Sequence, residues 1–207
     1  MTLRIWGRAN SSNVAKVMWA IGELNLSCER IDIGGTFGGT QEPAYLALNP
    51  MGQIPTLDDN GFVLWESNAI IRYLASQYGA GHLWPDNPHA RADADRWMDW
   101  ASLSLAPAID ALRKAHRVPE TDEQRTSIIE KASEDVATIW QALEPRLTHH
   151  SFIAGDALSV ADISLGALVH RWHLARRPWP RLPAISVWYG RLCERFHYAR
   201  HIVAKVS

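Results

Sequence analysis

Two stretches decide how this chain is read: Asn49-Pro50-Met51-Gly52-Gln53-Ile54-Pro55-Thr56-Leu57 and, shortly after, Phe62-Val63-Leu64-Trp65-Glu66-Ser67-Asn68-Ala69-Ile70. Residues 54–57 and 62–65 are apolar runs around Asp58-Asp59-Asn60-Gly61, the pattern of a β-hairpin. Pro55 opens the first strand, removes one backbone donor and fixes the chain locally. Ser67 stands where the second strand ends and a helix over residues 68–77 begins, and it is expected to cap that helix. Exposed N–H groups and the positive helix end make such a junction an anion site. Glu66 beside it suits an ammonium. A ligand head carrying both charges on one carbon matches the pair, whereas a plain helix cap next to a solvated glutamate is the simpler alternative.

Upstream, Leu3-Arg4-Ile5 reads as a short strand. Val14, Val17, Met18, Ile21 and Leu24 recur at helical spacing, which predicts a helix over 13–25 with Ser11 or Ser12 as its N-cap. Residues 28–33 read as a second strand, 34–39 as a glycine-rich loop and 42–48 as a short helix. The order over residues 1–78 is therefore βαβ, a short α, then ββα: a small α/β domain.

Downstream, residues 79–87 hold two glycines and a proline and read as a linker. Everything after it, 88–207, reads as helix. Asn87-Pro88 is an N-cap with a first-turn proline, followed by Trp97, Trp100 and Leu103 on one face. Thr121-Asp122-Glu123-Gln124 has the spacing of a capping box ahead of Ile128, Ile129, Ala132, Val136, Ile139, Trp140 and Leu143. Ser159-Val160-Ala161-Asp162 caps a further helix, and Pro183 opens a last one. An all-helical bundle is expected here.

Composition narrows the classes. In 207 residues, 21 Lys and Arg face 22 Asp and Glu, for a net charge of −1. That argues against a wholly basic nucleic-acid binder or a wholly acidic chain. With 47% hydrophobic residues the chain can bury real cores. The two cysteines, Cys28 and Cys193, lie far apart and form no CxxC, so neither a redox dithiol nor a cysteine-rich zinc site is encoded. The nine histidines show no HExxH or similar spacing, so no metal site is expected. No apolar run approaches the roughly 20 residues that cross a membrane, and the first residues do not form a signal peptide. A cytoplasmic protein is the expectation.

Taken in order, Ser11-Ser12-Asn13, Asn49-Pro50-x-Gly52-Gln53-Ile54-Pro55, Glu66-Ser67-Asn68-Ala69-Ile70 and the downstream pair Phe152-Ile153-Ala154-Gly155-Asp156 and Ser159-Val160-Ala161-Asp162 resemble the cytosolic glutathione S-transferase superfamily, most closely its serine-type, theta-like members. The resemblance spans essentially the whole chain. It implies a thioredoxin-like domain that binds glutathione, followed by a helical domain that supplies an electrophile pocket. It also implies a homodimer and no metal or organic cofactor, with glutathione as cosubstrate and a hydrophobic electrophile as its partner.

The resemblance assigns roles residue by residue. The Ile54–Pro55 bond is expected cis, which turns the Ile54 backbone outward to pair with the tripeptide as an added strand. Glu66 and Ser67 take the γ-glutamyl head. Gln53 reaches the other end of the ligand, and Gln41 the terminal glycine carboxylate. Ser11, six residues before Val17, occupies the register of the serine that donates its O–H to the glutathione thiolate. A hydroxyl and a helix N-terminus both favour the ionised thiol, whose free pKa is ~8.5. Ser12 is expected to cap the helix, with Asn10 and Asn13 as rival donors. The tyrosine of other classes has no match, since position 6 is Trp6.

Three matters stay open at this level. The same scaffold supports glutathione-dependent isomerases, dehalogenases and peroxidases, and non-catalytic binding proteins. Met98, Ser104 and His116 are candidates for the electrophile pocket. Residues 167–207 carry eight Lys or Arg against Glu194 alone, which reads as a solvated charged face, an anion or nucleic-acid surface, or a site for an anionic electrophile.

Overall fold

The computed structural model describes residues 3–119, 121–175 and 181–206. The first half holds β1 (Leu3–Trp6), α1 (Ser12–Glu23), β2 (Cys28–Ile31), α2 (Pro43–Leu46), β3 (Thr56–Asp59), β4 (Phe62–Trp65) and α3 (Ser67–Tyr78). The four strands form one sheet in the order β2-β1-β3-β4. β1 and β2 are parallel, and the other two pairs are antiparallel. This mixed sheet, with its β1-α1-β2 crossover unit and following hairpin, is the thioredoxin-like arrangement expected from the βαβ-α-ββα order.

The helical part follows: α4 (Pro88–Trp100), α5 (Ala106–Ala115), α6 (Arg125–Gln141), α7 (Glu144–His149), α8 (Val160–Leu174), α9 (Pro183–Cys193) and α10 (Phe196–Tyr198). A π-helical turn, Ala101–Leu105, joins α4 to α5, and a second, Ala199–Val203, follows α10.

Several boundaries differ from the sequence reading, each for a local reason. The hairpin turn shrinks to Asn60-Gly61, both at positive φ (52° and 93°), so Asp58 and Asp59 belong to β3. Such a two-residue turn matches the twist of the strands better than a four-residue loop. Leu103 was expected on the packed face but is 80% exposed. Pro107 has no N–H for the Leu103 carbonyl one turn earlier, and the helix widens into the π turn just before it, which rotates Leu103 outward. Helix α6 begins at Arg125 rather than at the Thr121 box, because the Asp122 carboxylate accepts the Gln124 N–H at 2.8 Å in a turn of its own. The Asn87 cap holds as read, accepting from His89 and Ala90. So does the box at Ser159 and Asp162.

The two halves are welded through α1 and α8. Gly166 sits where a Cβ would come 2.5 Å from the Trp19 ring, so only glycine lets the helices approach this closely. Tyr198 meets Trp19 edge-on at 4.8 Å and donates to the Gly166 carbonyl at 2.8 Å. Trp19 donates to Glu23, and Arg195 clamps the same carboxylate with two bonds of 3.0 and 2.6 Å. Burial pushes the Glu23 carboxyl up, but the Arg195 and Trp19 donors outweigh it and hold it below the usual range. Residues 79–87 are no slack tether: Leu83 is fully buried and its carbonyl accepts the Val160 N–H.

Candidate functional site

Three loops meet at one corner. The first is the turn into α1. Ser11 takes the N-cap position (φ −80°, ψ 124°), so the cap expected at Ser12 falls one residue earlier and Ser12 is the first helical residue. The Ser11 hydroxyl makes no capping bond, and the residue is 9% exposed. Its N–H donates to the Arg8 carbonyl and its carbonyl accepts from Ala15. The hydroxyl is thus held at a helix start without being spent on the helix. Among the rival donors, Asn10 accepts from Arg8 at 2.8 Å.

The second loop is 49–55. The Ile54–Pro55 peptide is cis, as the resemblance implied. Asn49 organises the approach to it: its side chain accepts from Met51 N–H and donates to the Gln53 carbonyl at 2.8 Å. Tyr45, buried under the loop, donates to the same carbonyl at 2.5 Å. Gly52 has φ +60°, and a Cβ there would meet the Gln41 amide at 2.4 Å. The glycine therefore lets Gln41 lie over the loop beside Gln53, and both glutamines are exposed. The Ile54 side chain lies against Gly34 and Gly7, next to Val14 at the start of α1.

The third is the β4–α3 junction. Ser67 was expected as the helix cap, but Glu66 takes that position and Ser67 is the first helical residue. Glu66 sits at φ +69°, ψ 110°, a backbone region that a non-glycine residue enters only at a cost of order 1–3 kcal/mol. It keeps its carboxylate exposed while Ser67 is buried. Ser67 Oγ donates to Asn13 Oδ1 across a long 3.4 Å, a bond easily surrendered to a better acceptor.

A cavity of about 180 Å³ opens between these loops and the helical domain, lined from below by Ser12, Asn13, Lys16 and Glu66–Asn68. Ser102 and Ser164 contribute from above. Ser11 is not part of this lining; Ser12 is. Asn68 knits the two sides: its carbonyl oxygen accepts from Lys16 Nζ at 2.7 Å and Ser164 Oγ at 3.1 Å, and its amide donates to Ser102 at 3.0 Å. Lys16 is buried. That burial, opposed by Glu66 and reinforced by Arg72, brings its pKa down from 10.5 to about 8.

Sequence reasoning passed over Lys16, Asn68, Tyr45, Ser102 and Ser164. The signal for Lys16 was present: it lies four residues after Ser12 and three after Asn13, hence on their face of α1. Of the candidates for the electrophile pocket, His116 lines a second cavity farther along, while Met98 is fully buried and offers its carbonyl to Asn68 and Ser102. Among the described residues, no group of three or more His, Cys, Asp or Glu could hold a metal ion, and no helix is long and apolar enough to cross a membrane.

A thioredoxin-like sheet with a cis-proline loop, a strained acidic corner and a helical domain closing over them is the layout of a glutathione S-transferase. The chain belongs to that family. Residues 1–76 match the model for the glutathione S-transferase N-terminal domain, and residues 126–191 that for the C-terminal domain. The chain is 34% identical to glutathione S-transferase GstB of Escherichia coli, over 99% of this chain and 100% of that protein. It is 30% identical to glutathione S-transferase 3 of Zea mays, over 98% and 94%. Among solved structures, the theta class glutathione S-transferase of Xanthomonas axonopodis pv. citri with glutathione bound superposes with a TM-score of 0.89 at 38% identity, covering 99% of both chains.

Proposed function

We propose how this glutathione transferase works. Glutathione lies across the corner of the three loops. Its γ-glutamyl carboxylate accepts from the Ser67 N–H and hydroxyl at the positive end of α3, and its ammonium meets Glu66. The cysteinyl backbone pairs with Ile54 ahead of Pro55 as an added strand. Gln53 and Gln41 hold the glycine end. The thiol then reaches the start of α1, where the Ser11 hydroxyl donates to the thiolate.

The chemistry follows from that pose. Ionisation releases the thiol proton to solvent. The thiolate attacks the electrophilic carbon of a hydrophobic substrate held against the helical domain, and the leaving group departs with its bonding pair. The enzyme lowers the barrier by holding the two reactants together and stabilising the sulfur anion. No metal or organic cofactor takes part; glutathione is consumed as cosubstrate. The protein works as a cytoplasmic homodimer in detoxification.

The observation that carries this reading is the Glu66–Ser67 corner, an exposed carboxylate on a strained backbone next to a buried serine at a helix start. The test is isothermal calorimetry with glutathione, followed by conjugation of an activated aryl halide. A dissociation constant in the millimolar range or tighter with thioether product supports it. Absence of both sinks it. For the dimer, light scattering should give twice the 23.2 kDa chain mass at micromolar concentration.

A further inference from the structure

Farther along the groove between α5 and α8 lies a second cavity of about 160 Å³. Ala106 and Leu168 line the first cavity, and Ile109 and Arg171 line this one, about one helical turn on along the same two helices. Arg8 ties the cavity to the thiol end, because its carbonyl accepts the Ser11 N–H while its guanidinium adds positive potential at Arg171. The second cavity therefore continues the groove of the first, about one turn farther along α5 and α8.

Its walls are apolar, from Ile109, Leu112 and Leu174, and its polar lining is Arg113, His116 and Arg171. Arg171 has a buried Nε with no hydrogen-bond partner, and no carboxylate lies within 4.0 Å of it among the described residues. The Nε of Arg8 is buried and unpartnered too. Arg113 has an acid nearby, but it shares Asp110 with Lys114, at 2.6 and 3.0 Å. Arg117 adds a further positive charge. Burial and then the repulsion of Arg113 depress the Arg171 pKa, with Asp110 opposing and Arg8 and Arg117 adding to the effect. A guanidinium whose buried Nε has no hydrogen-bond partner, set against an apolar wall, favours a ligand that brings its own anion. A planar guanidinium matches a carboxylate best. The volume is near the roughly 150 Å³ of a protein cavity that holds benzene, which is room for one ring.

We propose that the electrophile of this enzyme is an aromatic ring bearing an anionic group, a carboxylate or sulfonate, and that Arg171, with Arg113 beside it, selects it. This rests on the glutathione transferase reading above. For a chloroarene of this kind the thiolate sulfur forms a bond to the ring carbon, the C–Cl bond breaks, and chloride leaves with the bonding pair. The anionic group is untouched and serves only as a handle.

The decisive measurement separates the handle from the chemistry. Calorimetry with 3,5-dinitrobenzoate and its methyl ester, neither of which reacts, should show the acid binding about tenfold or more tightly. Arg171→Gln should bring that ratio close to one, and Arg171→Lys, which keeps the charge, should preserve most of it. In turnover, 4-chloro-3,5-dinitrobenzoate should exceed its methyl ester when each rate is divided by its uncatalysed rate with glutathione. Equal binding of acid and ester, preference for the ester, or a preference that survives Arg171→Gln overturns the proposal. If Arg171→Gln does not fold, the wild-type acid-to-ester ratio and the Arg171→Lys protein decide. Binding of glutathione is titrated separately. A protein that takes the acid but not glutathione keeps the anion site and loses the transferase reading, while the converse result does the opposite.

Discussion

Lys16 Nζ donates to Asn68 Oδ1 at 2.7 Å beneath the corner formed by α1 and α3. Lys16 and the Asn68 carboxamide it touches are where the binding corner is tied to the helical domain through Ser102 and Ser164. The lysine is buried and its pKa falls from 10.5 to about 8, mainly because burial disfavours the charged form. The folded state therefore gives up this proton first. Between pH 8 and 10.5 the unfolded chain binds more protons than the folded one, so stability rises with pH across that window. The shift corresponds to about 3 kcal/mol. Chemical denaturation from pH 7.5 to 10 should show the wild type gaining stability relative to Lys16→Met as pH rises. A difference between the two proteins that does not change with pH would place the lysine's charge in water.

Ser11 and Ser12 should separate in function. Ser11→Ala should raise the pKa of bound glutathione toward ~8.5 and lower turnover. Because the N-cap position makes no side-chain bond, neither substitution should cost the ~1 kcal/mol of a lost cap. Thiolate absorbance against pH, with thermal melts of both variants, measures this. If Ser12→Ala alone moves the thiol pKa, the donor is the residue that lines the cavity.

Glu66→Gln should weaken glutathione binding about tenfold or more, since a charge-assisted hydrogen bond contributes roughly 1.5–3 kcal/mol. Calorimetry at fixed pH reads it out directly. Unchanged affinity would mean that the ammonium lies elsewhere.

Asp162 is fully buried and accepts from Ile153 N–H, Ser159 N–H, Ser159 Oγ and Trp188 Nε1, each at 2.9 Å. Asp162→Ala strands four buried donors. Each costs about 1–3 kcal/mol when left unpaired, so a loss of 4 kcal/mol or more is expected. Turnover per folded molecule should stay near wild type, because the carboxylate never faces the cavity. A specific loss of turnover in folded protein would give Asp162 a part in the reaction.

Cys28 should be sluggish toward alkylating reagents at neutral pH. Burial raises its pKa to about 11, with Arg30 opposing and Glu29 adding, and burial raises Cys193 as well. Iodoacetamide at pH 7.5 should leave activity intact over the time that alkylates free glutathione. Rapid inactivation abolished by Cys28→Ser would contradict it.

The architecture was legible where the sequence carries strong periodicity or paired turn and cap residues. The Asn60-Gly61 turn, the Asn87-Pro88 start and the Ser159–Asp162 box each declare themselves within four residues. The special backbone at Ile54-Pro55 and Glu66-Ser67 was legible for the same reason, since each is a short motif with its own backbone chemistry. What stayed hidden depends on distant partners. Nothing near Asn68 says that Ser164, 96 positions away, will donate to it. The exposure of Leu103 follows from a proline four residues later acting on helix geometry, which a count of apolar spacing does not register. The second cavity draws Arg113 and Arg171 from helices far apart in the chain, so only the fold gathers them.

The clamp of Arg195 on Glu23 joins positions 172 residues apart, and Tyr198 seals the same helix against Gly166. Translation delivers these groups long after α1. While the ribosome is still adding α9, helix α1 already exists but lacks the lid over Trp19. The N-terminal domain therefore leaves the exit tunnel with part of the α1 surface uncovered, and its locking waits for Arg195 and Tyr198. A nascent chain stalled before Arg195 should be a client for chaperones that recognise exposed aromatic surface, whereas one released after Tyr198 should not.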